Sequence, residues 1–180
     1  MYQRRGSIKL IIGCMFAGKT TALINSIEKY HHAGRKCLII KHNLDTRYDH
    51  LSNGGIVCNN GTEHNVVEII IAESLQSVNV SQYDIIGVME SQFYDDLLVV
   101  DQWASDGKVI ICDGLDADCN RNNFGKIHLL IPKCEEIVKL GAICRICGAD
   151  AYFTKRTVAS ENIVEIGGKD KYIPVCRTCI

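Results

Sequence analysis

The chain has 180 residues, of which 47% are hydrophobic, and a formal net charge of −1. That length accommodates one α/β domain with a small appendage, and the apolar content excludes wholesale disorder. The near-neutral charge provides no broad surface for nucleic acid or anionic membrane, and no apolar run reaches the about 20 residues of a membrane-spanning helix, so neither partner is expected.

The N-terminal "MYQRRGSIKLIIG" carries two arginines ahead of a short apolar run ending in a glycine turn. It is read as a first strand, at 7–12, rather than a signal peptide. After the turn, apolar residues at helical spacing predict a helix over 21–32, which Gly34 ends. Strands are expected at 36–41 and, after the turn-rich "NNGTEHN", at 66–71. A fourth strand is expected at 83–89, a helix at 97–105 and a fifth strand at 108–113. Apolar runs alternating with helical segments predict an α/β fold, a parallel sheet with helices on both faces. After Gly141 the chain changes to short polar–apolar strands, glycines and paired cysteines. The expected division is therefore a nucleotide-binding domain at 1–141 and a small β domain at 142–180.

Two motifs carry chemistry. "GCMFAGKT" fits G-x-x-x-x-G-K-[ST] with Gly13, Gly18, Lys19 and Thr20, and it lies between a predicted strand and a predicted helix. Its glycines let the backbone N–H groups of Gly13, Cys14, Met15, Phe16, Ala17 and Gly18 turn inward around phosphate oxygens, and the following helix adds its positive end. Lys19 is placed to reach the β- and γ-phosphates of ATP, and the Thr20 hydroxyl to ligate Mg²⁺.

The second motif is a pair of C-x-x-C knuckles, Cys144/Cys147 and Cys176/Cys179, among ten cysteines. No secretion signal is read, so a reduced, cytoplasmic setting is expected and the pairs suggest metal rather than disulfides. Four thiolates suit a closed tetrahedral structural Zn²⁺ stapling two small hairpins. Cys37 and Cys112 lie inside apolar runs and are expected as small buried hydrophobes. The six histidines show no ligand spacing.

With these motifs the chain resembles the type II thymidine kinases, the cytosolic animal, poxviral and bacterial family, over nearly its whole length. "GCMFAGKTT" is similar to that family's G-P-M-F-[SA]-G-K-[ST]-T and "KHNLDTRY" to its K-x-x-x-D-x-R-Y. "ESQF" is similar to its D-E-[GA]-Q-F without the first residue, and "GLDADCNRNNFG" to [AG]-L-D-x-x-F-x-x-x-x-F-G. "YFTKR" and "IGGKDKYIPVCRTC" resemble the tail. The resemblance implies a RecA-like P-loop core and a zinc domain with a lasso-like loop over the nucleoside. It implies transfer of the ATP γ-phosphate to the 5′-hydroxyl of thymidine, a homotetramer, and dTTP as feedback inhibitor. Carried over by position, Glu90 is the general base, and Asp45 and Arg47 close over the phosphates. Met15, Phe93, Leu115, Phe124, Thr154 and Tyr172 wall the thymine pocket, and Ile166, Gly167 and Gly168 read the base edge.

This chain departs from the family pattern at several places. Met89 stands where the family has the aspartate of Asp-Glu, Cys14 replaces a proline, Ser91 a glycine or alanine, and Cys119 a phenylalanine. Asp113 is an additional carboxylate where family members mostly carry a small or aromatic residue. An active kinase, a weakened nucleotide-binding homologue and a zinc-containing P-loop ATPase remain open on the residues alone. Asp113 either stands in for the carboxylate missing at Met89 or caps the turn that follows it.

Overall fold

The computed structural model describes residues 6–45, 56–57, 63–64, 67–158 and 170–180. Its centre is a six-stranded, wholly parallel sheet in the order β5-β2-β6-β7-β1-β8. The strands are β1 (Ser7–Gly13), β2 (Cys37–Lys41), β5 (Glu68–Ile71), β6 (Ile85–Val88), β7 (Val109–Gly114) and β8 (Glu136–Leu140). Two-residue strands β3 (Ile56–Val57) and β4 (Glu63–His64) pair antiparallel between β2 and β5. The α/β class and the five predicted sheet strands are borne out within a residue or two at their ends. β8 is an addition that the apolar pattern does not reveal.

The sheet's two faces carry separate cores. Leu10, Ile12, Leu38, Ile40, Ile86, Val88, Ile110 and Cys112 face one way. They pack against Val100 and Trp103 of α2 (Val99–Ser105), and against Tyr94, Leu97 and Leu130. Ile11, Ile39, Ile85, Met89 and Ile111 face the other way, against Leu23, Ile24 and Ile27 of α1 (Lys19–His32). Strand side chains alternate, so near-continuous apolar runs are what a sheet covered on both faces requires. Gly87 lies under α1, where an added Cβ would sit 2.3 Å from the Ile27 Cδ1 atom. The absence of a side chain there lets helix and sheet approach.

α1 starts at Lys19, two residues before the predicted helix, so the last residues of the P-loop motif are its first turn. Its last turn holds Lys29, whose charge suits the negative end of the helix dipole. Gly34, at φ 74°, takes the left-handed conformation that ends it.

After β8 come two antiparallel pairs, β9 (Ala142–Ile143) with β10 (Asp150–Ala151) and β11 (Phe153–Arg156) with β12 (Tyr172–Val175). Their own core is small: Cys144, Ala151 and Val175, with Phe153 and Ile173 against them. The N–H of Arg145 donates to the Pro174 carbonyl at 3.0 Å and joins the two pairs.

Candidate active site

Three neighbouring strands, β6, β7 and β1, end side by side and deliver the chemical groups. This is the carboxyl edge of a parallel sheet, where open α/β folds bind ligands. β1 ends at Gly13 and runs into the P-loop. Gly13 has φ 149°, and a Cβ there would lie 2.2 Å from the Leu140 carbonyl oxygen of β8, so only glycine lets the chain leave the strand beside β8. Gly18, at φ 80°, is the N-cap of α1, and no acidic residue occupies the helix's first turn. The uncapped N–H groups of that turn are left to the anion. Phe16 also has positive φ, 65°.

Met15, Phe16, Gly18, Lys19, Thr20, Thr21, Glu90 and Leu115 line one open pocket. Lys19 is only 7% exposed, and its Nζ donates to the Cys14 carbonyl at 2.8 Å. Glu90 faces the cradle from the end of β6. It is 7% exposed and held in the left-handed conformation, φ 49° and ψ 49°. Two side chains fix it there. Its N–H donates to Asp113 Oδ1 at 2.9 Å, and Gln92 Nε2 donates to its Oε2 at 2.6 Å.

Gln92 belongs to the "ESQF" motif, which by itself assigns it no role. Its Oε1 also accepts the Leu115 N–H at 3.0 Å, so one buried amide ties the candidate base to the loop after β7. The signal was a glutamine two residues past the acidic position, but nothing in the sequence identifies its two partners.

The remaining predicted residues divide. Phe93 and Phe124 meet edge-to-face with centroids 5.8 Å apart, and Phe93 also lies 5.7 Å from the His42 ring. Leu115 enters the same pocket as Glu90. Thr154 is buried, and its Oγ1 accepts the Met15 N–H at 3.0 Å, so it holds the P-loop itself. The Cys14 thiol contributes a weaker link, donating to the Ala151 carbonyl at 3.5 Å. Tyr172 is buried on β12 with the Arg156 guanidinium 5.7 Å from its ring centroid. Asp45 is buried near His42 and Tyr94 and is not among the residues that line the pocket above. Arg47, Ile166, Gly167 and Gly168 lie outside the described residues.

Met89 and Asp113 occupy the next positions after the paired residues Val88 and Cys112 on β6 and β7. Asp113 pairs with Ile11, a residue of the α1 face, so both side chains project toward α1. Met89 is core there. Asp113 is fully buried, and its Oδ2 has no hydrogen-bond partner. Burial and the Glu90 carboxylate push its pKa up to about 7, while the Glu90 N–H, the Lys19 charge and the Thr20 hydroxyl pull it down. Thr20 is thus close enough to act on the carboxylate without meeting hydrogen-bond geometry at Oδ2. The turn-capping alternative is not what the structure contains. The Asp113 Oδ1 accepts from a residue 23 positions earlier.

The Sγ atoms of Cys144, Cys147, Cys176 and Cys179 all lie within 4.8 Å of one another, with Cys147 and Cys176 3.6 Å apart. A tetrahedral zinc with Zn–S bonds of about 2.3 Å requires sulfur–sulfur edges of about 3.8 Å, so the four thiols fit a metal ion. Among the described residues no helix is long and apolar enough to cross a membrane.

The family model for thymidine kinase matches residues 6–180. The chain is 44% identical to the thymidine kinase of Amsacta moorei entomopoxvirus, covering 96% of this chain and 97% of that one. It is 40% identical to thymidine kinase 1 of Dictyostelium discoideum, over 98% of this chain and 78% of that one. It is 37% identical to the cytosolic thymidine kinase of Bos taurus, over 97% of this chain and 72% of that one. Matched from P-loop to second cysteine knuckle, the chain belongs to the thymidine kinase family.

Proposed function

We propose that this protein transfers the γ-phosphate of ATP to the 5′-hydroxyl of thymidine, giving dTMP and ADP. The observation that carries the reading is the shared pocket of Lys19, Thr20 and Glu90, in a chain that belongs to the thymidine kinase family. Backbone N–H groups of the loop 13–18 other than that of Met15, which Thr154 holds, receive the phosphates with the α1 N-terminus, and Lys19 exchanges the Cys14 carbonyl for phosphate oxygen. Glu90 accepts the proton of the 5′-hydroxyl as its oxygen bonds to the γ-phosphorus. The bond to the β–γ bridging oxygen breaks and ADP leaves. Gln92 holds the Glu90 carboxylate in position for that transfer.

Met15, Phe93, Leu115 and Phe124, with Thr154 and Tyr172 of the 142–180 unit, form the nucleoside side of the pocket. Mg²⁺, when bound with ATP, neutralises charge developing on the phosphates, and Thr20 is the residue of the cradle to hold it. The orphaned buried oxygen of Asp113 beside Thr20 fits a cation there. Zn²⁺ fits the four thiols and has a structural role. The homotetramer, dTTP feedback and cytoplasmic location follow from the family resemblance.

The test is incubation of purified protein with γ-labelled ATP, Mg²⁺ and thymidine, deoxyuridine or deoxycytidine. Label in dTMP, strongest with thymidine, is expected. ATP hydrolysis without transfer would establish an ATPase instead, and dTTP binding without turnover a nucleotide-binding homologue.

A further inference from the structure

We propose that Asp113 is this enzyme's strand-end carboxylate for the nucleotide-bound divalent cation, holding it with Thr20 in place of the carboxylate missing at Met89. The inference rests on the functional reading above, which makes the cradle a site for ATP with a divalent cation.

Three observations carry it. The first is position. β6 and β7 are neighbours in register, so Met89 and Asp113 stand at the same level on adjacent strands, both on the face that α1 covers. Thr20 lies in the first turn of that helix. Moving a carboxylate from one position to the other displaces it by about one strand spacing, about 4.8 Å. A contact made through a cation-bound water tolerates such a displacement, because Mg²⁺ keeps several waters.

The second is what replaced the carboxylate. Met89 is 3% exposed and belongs to the apolar cluster of Ile11, Leu23, Ile24, Ile27 and Ile39. Its thioether fills core volume and offers no hard oxygen ligand to a cation.

The third is the state of Asp113. Its side chain is fully buried, with one oxygen bound to the Glu90 N–H and the other without a partner. Buried polar atoms are ordinarily satisfied, and an orphaned carboxylate oxygen beside Thr20 of the phosphate cradle leaves an acceptor open to a cation or a cation-bound water. The Oδ1 bond has a second consequence. Asp113 also fixes the left-handed turn that presents Glu90, so one side chain couples cation position to the position of the base.

The experiment is titration of Mn²⁺ into protein saturated with a non-hydrolysable ATP analogue, following free Mn²⁺ by electron paramagnetic resonance. Analogue affinity without metal and thermal stability serve as controls. Asp113→Asn keeps the shape and the acceptor for the Glu90 N–H but loses the charge. It should weaken Mn²⁺ binding about 10- to 100-fold while leaving metal-free analogue binding within about twofold. Asp113→Ser, which also shortens the side chain, should weaken Mn²⁺ similarly and covers the case in which the Asn variant folds poorly. Met89→Asp added to Asp113→Asn should recover most of the lost affinity. Unchanged Mn²⁺ affinity in Asp113→Asn and Asp113→Ser overturns the proposal. Weakening without recovery in the double variant overturns the equivalence of the two positions. Thymidine is absent from this titration, so a failure to form dTMP rejects the proposed reaction while the metal result is judged separately.

Discussion

Lys19 is the residue whose loss separates chemistry from folding most cleanly. Its ammonium touches one carbonyl of its own loop, so Lys19→Ala leaves the core intact. Turnover should fall by at least about 100- to 1,000-fold, the usual cost of removing a group that stabilises transition-state charge. A circular-dichroism melt close to wild type beside an inactive assay is the expected pair of results. Glu90→Gln keeps size and removes the proton acceptor, so kcat should fall about 100- to 10,000-fold with nucleoside affinity little changed. A normal rate would place the base elsewhere.

His42 provides the pH test at this scale. It is buried beside Phe93 and Tyr94, and its Nδ1 accepts the Leu44 N–H, which requires that nitrogen to be unprotonated. Burial lowers its pKa from 6.5, against the opposing pull of Glu73, Asp45, Asp95 and Asp96. Below pH 6.5 the unfolded chain therefore takes up a proton that the folded chain resists. The His42 contribution is present above that pH and is lost as pH falls toward the folded value. The Tm of wild type should drop more steeply below pH 6.5 than that of His42→Gln; parallel curves would contradict this.

Among the elements, the buried strands and α1 were legible because the sheet is covered on both faces. A strand segment buried on both sides must be apolar at every position, and "LIIG", "CLII" and "IIGV" satisfy this. β8 lacked that signature. "EIVKL" is an edge strand, mostly exposed, with Lys139 paired to Asp116, and its pattern is that of a polar loop. The preceding 3₁₀ segment Ile127–Lys133 contains Pro132 and has no strong periodicity. The P-loop was legible as a motif, but the Thr154–Met15 bond that braces it joins residues 139 positions apart, and no local pattern announces it. That brace is testable. Thr154→Val keeps the shape and leaves the buried Met15 N–H unsatisfied, which should cost about 1–3 kcal/mol of stability and weaken ATP binding. A variant with unchanged melt and unchanged ATP affinity would show that the brace is dispensable.

At the scale of the whole molecule, the cysteine knuckles, the P-loop and the α1 N-terminus form one connected structure. The four thiols close the knuckles, the hairpins they hold present Ala151 and Thr154, and these two bond to Cys14 and Met15. Cysteine spacing made the candidate metal site readable. It did not show that the cysteine-bearing hairpins brace the phosphate cradle, because that depends on how the hairpins seat against the sheet. Chelation of the metal, or Cys147→Ser, should therefore lower Tm and raise the ATP concentration for half-maximal binding together. The cluster's own apolar core is too small to hold the hairpins without metal. Loss of metal with both quantities unchanged would contradict the coupling.

The proposed reaction is phosphoryl transfer from ATP to the 5′-oxygen of thymidine. The decisive comparison is of thymidine with 3′-deoxythymidine and 5′-deoxythymidine as acceptors of labelled γ-phosphate, with the Glu90→Gln variant alongside. Labelled 5′-monophosphate is expected from thymidine and 3′-deoxythymidine, none from 5′-deoxythymidine, and a strongly reduced rate in the variant. Label on no nucleoside, or equal label on 5′-deoxythymidine, would contradict it.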